Sequence, residues 1–133
     1  MNDLEKLMAE YDNELTFKFR SDMPDCLSGL IVNRKIYINA NLPFQQALAT
    51  LAEEIGHYET SATKNIVNYK EIANSKEEVK ARRWSYQKLI PIECLTKFEN
   101  QTVMNYEVAE ELELPVDVIE EAFEMYKVKG ELL

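Results

Sequence analysis

The sequence predicts an α+β domain, mostly helical with a small antiparallel sheet. Apolar residues recur at three- and four-residue spacing over most of the chain, the signature of amphipathic helices. One stretch breaks that rhythm: LIVNRKIYIN, residues 30–39, sets two β-branched runs around a polar break. The length of 133 residues suits one unit with a core of ordinary size.

Taken in order, Leu4, Leu7, Met8, Tyr11 and Leu15 predict a first helix over roughly 4–19. Ser21, Asp22, Met23, Pro24 and Asp25 form a turn cluster, and the runs flanking Asn33, Arg34 and Lys35 then predict a hairpin or bent strand pair. Pro43 suits a helix start because its missing N–H would be unpaired there anyway. Phe44, Ala47, Leu48, Leu51, Ala52 and Ile55 keep to one stripe, so the next helix runs to about Tyr58. Residues 59–74 are mixed and polar, with at most a short helix around Asn65–Ile72. Ser75 with Glu78 three residues on reads as a capping box, predicting a helix from Lys76 to Leu89 that stops before Pro91. Tyr106, Ala109 and Leu112, then Val118, Ile119, Ala122, Phe123 and Tyr126, give two C-terminal helices within about 104–129, divided at Pro115 and closed by Gly130. No repeat interrupts this order, so 1–133 is expected to be a single domain.

Charge and composition narrow the function classes. A net charge of −9 disfavours a broad grip on nucleic acid or anionic membranes. With 46% hydrophobic and 29% charged residues the chain is neither disordered nor membrane-spanning in composition. Cys26 and Cys94 make no CxxC pair, and Met1–Glu10 lacks a basic and then apolar leader, so a cytoplasmic location is expected.

The chemistry concentrates in LAEEIGHYETS, residues 51–61. At about 100° per residue, Glu53 and His57 project from one face of the helix, with Glu54 between that face and the apolar stripe. In HExxH metallopeptidases the residues four apart bind zinc, and the Glu after the first is general base toward the metal-bound water. Here the pattern is EExxH. A carboxylate is an acceptable zinc donor, although an anion in place of imidazole partly neutralises the ion and weakens its Lewis acidity. A third ligand must come from elsewhere, and Glu78 is the better placed of Glu77 and Glu78.

With EVKARRWSYQKLIP over 78–91, LAEEIGH and the strand-like IYIN, the chain resembles the ImmA/IrrE family of zinc metallopeptidases. That family pairs an HExxH helix with a second helix of the form ExxAxxFAxxxLxP. Glu78, Ala81, Trp84, Ser85, Leu89 and Pro91 stand at its positions, Trp84 in the aromatic place, and the matching motifs lie within about 29–91. The resemblance implies a zincin-like domain in which Glu53, His57 and Glu78 hold one zinc, with manganese or iron as other options, and Glu54 is the catalytic base. It also implies a role: an endopeptidase that cleaves a helix-turn-helix repressor of a prophage or mobile element, with no direct nucleic-acid or membrane partner. The chain has one histidine, so Glu53 stands where the motif has its first His.

Plainer readings exist for each residue. Glu53 and His57 would make a solvated face, and Glu78 would cap Ser75 or pair with Arg82. Lys80, Arg82 and Arg83 would be a solvated basic cluster, and Trp84, Tyr58 and Tyr86 packing residues. Leu112, Val116, Ile119 and Phe123 fit a core stripe better than a partner groove. The rival function is a peptidase-like module that has lost efficient chemistry and regulates a repressor by docking; the weakest is an interaction protein without a site.

Overall fold

The computed structural model describes residues 2–61, 76–96 and 105–130. The elements are helix α1 (Asp3–Tyr11), strands β1 (Thr16–Arg20), β2 (Gly29–Val32) and β3 (Lys35–Asn39), then helices α2 (Phe44–Thr60), α3 (Lys76–Leu89), α4 (Ile92–Thr96), α5 (Asn105–Leu112) and α6 (Val116–Val128). The α+β class therefore holds, helices dominating a three-stranded sheet. The suggested helix around Asn65–Ile72 and the Ser75 end of the capping box lie outside the described residues.

Two expectations are corrected at the N-terminal end. The first helix stops at Tyr11 rather than near residue 19, with a turn at residues 12–14, where Asp12 and Asn13 are weak helix formers. Leu15 N–H donates back to Tyr11 O at 2.8 Å, and Thr16 N–H crosses to Arg34 O at 2.9 Å. Thr16–Arg20 is then an edge strand, with Phe17 packed against the core. Nor is the sheet purely antiparallel. Its order is β1-β3-β2, with β2 antiparallel to β3 as the hairpin predicts and β1 parallel to β3. Asn33, at φ 57°, takes the left-handed backbone that Asn tolerates and so turns the hairpin.

Ile31, Ile36 and Ile38 point into the core, where they meet the apolar stripe of α2, Leu48, Leu51, Ala52 and Ile55. The opposite side of α2 is covered by α3, so this helix is enclosed between sheet and helix. At the C-terminal end α6 buries Ile119, Ala122 and Tyr126, the Tyr126 hydroxyl donating to Ile90 O at 2.7 Å. Leu112 and Phe123 pack on the same core with buried Ile119, as a core stripe would place them, whereas Val116 is exposed and departs from that stripe. Short α4, which periodicity did not reveal, buries Leu95. Among the described residues no helix is long and apolar enough to cross a membrane.

Candidate metal centre

Two small residues bring the site together. A Cβ on Gly56 would lie 2.4 Å from the carbonyl oxygen of Ala81, so only glycine lets α2 approach α3 this closely. Ala81 is itself fully buried at the crossing. One residue along α2 from this contact stands His57, one turn back stands Glu53, and three residues back along α3 stands Glu78. Each offers a ligand atom within 4.8 Å of the others, and His57 Nε2 lies 3.0 Å from Glu78 Oε2.

The plainer reading of a solvated face fails for His57. His57 is 2% exposed and Glu54 3%, buried in the layer between sheet and α3, while Glu53 is partly exposed. A tetrahedral ion with bonds near 2.1 Å separates its donor atoms by about 3.4 Å. Three donors that already lie within 4.8 Å, one imidazole and two carboxylates, fit a divalent ion with small side-chain adjustments.

Arg82 completes the local electrostatics. Its Nε is 3.5 Å from Glu53 Oε1 and 3.2 Å from Glu78 Oε1, so the plainer pairing of Glu78 with Arg82 is present, while the other Glu78 oxygen faces His57. Burial, reinforced by the hydrogen bond and charge of Glu78, pushes the Glu53 carboxyl up to about 7, against the opposing pull of Arg82 and His57.

The site opens into a cavity of about 380 Å³ lined by Glu53, Glu54, Glu78 and Arg82 on one side and by Cys26, Leu27 and Ser28 on the other. The segment 24–28 is held by Asn39, a buried side chain that donates from Nδ2 to Pro24 O and Leu27 O at 3.3 and 3.1 Å and accepts from Asn41 N–H at 3.0 Å. Sequence reasoning missed Asn39 as a wall-building residue; Arg82 lies on a solvated face as expected, yet its Nε reaches Glu53 as well as Glu78. The i+4 offset from Glu78 was the only available signal for Arg82. Tyr58 and Tyr86 are packing residues: their hydroxyls donate to Glu14 at 3.0 Å and to Glu121. Trp84 is partly buried and meets the Tyr11 ring edge-on, 6.4 Å between centroids, as a packing anchor would.

No curated protein matches the chain closely enough to count as a relative. The family model described as the IrrE N-terminal-like domain, a peptidase family, matches residues 5–124 and so spans α1 to α6, taking in the crossing of α2 and α3 that gathers Glu53, His57 and Glu78. The chain belongs to that peptidase family and carries a metallopeptidase-like domain.

Proposed function

We propose that the protein is a metal-dependent endopeptidase acting on a regulatory protein, with Glu53, His57 and Glu78 as ligands and Glu54 as catalytic base. The observation that carries this is the convergence of three donor groups from two helices, beside a third, buried acid, Glu54, that lines the same cavity. A bound divalent ion supplies Lewis acidity, polarising the scissile carbonyl and easing deprotonation of water. Glu54 is adjacent to the ligand Glu53 on α2; it takes the proton of the attacking water and hands it to the leaving amine nitrogen. The cavity wall formed by residues 26–28 borders the space in which an extended peptide segment would lie.

Zinc is the ion proposed, since one imidazole and two carboxylates in a four-coordinate arrangement suit it, though manganese and iron accept the same donors. The substrate proposed is a helix-turn-helix repressor of a prophage or mobile element, a reading supported by family membership. The test is incubation of the purified protein with a repressor encoded beside it. Cleavage that disappears with Glu54→Gln and with chelator supports the peptidase. A stable complex, uncleaved and indifferent to both changes, would instead make the protein a docking module.

A further inference from the structure

Arg82 has a role that the ligand set leaves open. Two imidazoles and one carboxylate leave a divalent ion with one net positive charge, whereas one imidazole and two carboxylates neutralise it fully. The second arrangement is the one in this chain. Beside it, one guanidinium nitrogen lies within 3.5 Å of an oxygen of each carboxylate, while the other oxygen of Glu78 faces His57. Arg82 also lines a neighbouring hollow of about 130 Å³ with Asp117 and Glu121, so acids surround the guanidinium on both sides.

We propose that Arg82 is a positioning residue for the metal centre: it holds the outer oxygens of Glu53 and Glu78 and supplies the positive charge that Glu53 removes. This inference rests on the metal-binding reading above. Two opposed consequences follow from its charge. The guanidinium orients both carboxylates, but only weakly, since its contacts of 3.5 and 3.2 Å come from a half-exposed side chain. Its repulsion of the incoming dication outweighs this, so the site binds its metal less tightly than two uncompensated carboxylates would. The metal affinity is traded for the net charge that keeps the centre electrophilic.

The test measures zinc affinity of the chelator-stripped full chain by competition with a chromophoric chelator, for wild type, Arg82→Met and Arg82→Lys. Repulsion between a unit charge and a dication roughly 5 Å apart under water-like screening predicts about tenfold tighter zinc binding in Arg82→Met. Arg82→Lys keeps the charge and should stay near wild type. Thermal melts without metal check that each variant is folded. Wild-type zinc binding with unchanged or weaker binding in Arg82→Met overturns this inference alone, as does a Lys variant that behaves like Met. Absence of zinc binding by the wild type overturns the metal-binding reading and this inference with it.

Discussion

His57 on α2 and Glu78 on α3 stand 3.0 Å apart, Nε2 to Oε2, across a helix crossing that Gly56 and Ala81 bring to backbone contact. The relationship brings residues 21 positions apart in sequence into one cluster of donor groups. It also makes the site sensitive to anything that spreads the two helices.

Gly56→Ala is the direct probe of that sensitivity. Its Cβ would meet backbone, the Ala81 carbonyl oxygen at 2.4 Å, which cannot swing aside as a side chain does. The expected cost is about 3 kcal/mol of stability, measured by chemical denaturation, together with weaker metal binding. Wild-type stability in this variant would contradict the close crossing.

Glu54→Gln separates binding from chemistry. Glu54 is adjacent to the proposed ligand Glu53 without belonging to the donor triad, and glutamine keeps its shape. Metal content should stay at the wild-type level while peptide cleavage falls by about 10²–10⁴-fold, the usual contribution of a general base. Loss of metal together with activity would make Glu54 a ligand or a structural residue.

The position of Glu53 near 7 sets a pH window. Its folded-state value is raised above the unfolded one, so between about 4.5 and about 7 the folded chain holds a proton the unfolded chain has lost. Metal-free stability should therefore decline as pH rises through that window, relative to Glu53→Gln. Metal must displace the same proton, so affinity should fall by up to about tenfold per pH unit below 7. Thermal melts and zinc titrations of wild type and Glu53→Gln across about pH 5 to 8 check both signs; parallel profiles in the two proteins would contradict them.

Asn39 gives a test of the cavity wall. Asn39→Asp loses the two N–H donors that hold Pro24 O and Leu27 O and sets a carboxylate against those carbonyls. About 2–3 kcal/mol of stability should be lost, with impaired peptide cleavage but retained metal, because the ligands sit on α2 and α3. Cleavage at wild-type rates would show that residues 24–28 do not shape the substrate path.

Much of this arrangement was legible in the sequence because α2 and α3 announce themselves. The Phe44–Ile55 stripe fixes one helix, Glu78 and Pro91 bracket the other, and the i, i+4 offset of Glu53 and His57 puts them on one face. The burial of His57 was not legible, since a helical wheel shows the stripe facing the sheet but not the second cover that α3 provides. Strand β1 was misread because Leu15 continues the spacing of Tyr11, which masks the period-two alternation of Phe17 and Phe19. Its parallel pairing to β3 depends on the long reach of residues 21–28, which no local pattern encodes. Arg82 reads as one of three surface cations and is exposed as such, while the crossing of α2 and α3, which no local pattern encodes, brings Glu53 within its reach.

The central claim, a metal held by Glu53, His57 and Glu78, is tested most directly by elemental analysis of the purified protein beside Glu53→Ala, His57→Ala and Glu78→Ala. The account predicts about one divalent ion per wild-type chain and loss of that ion in all three variants, each still folded by circular dichroism. No stoichiometric metal in the wild type, even after reconstitution with zinc or manganese, would contradict it.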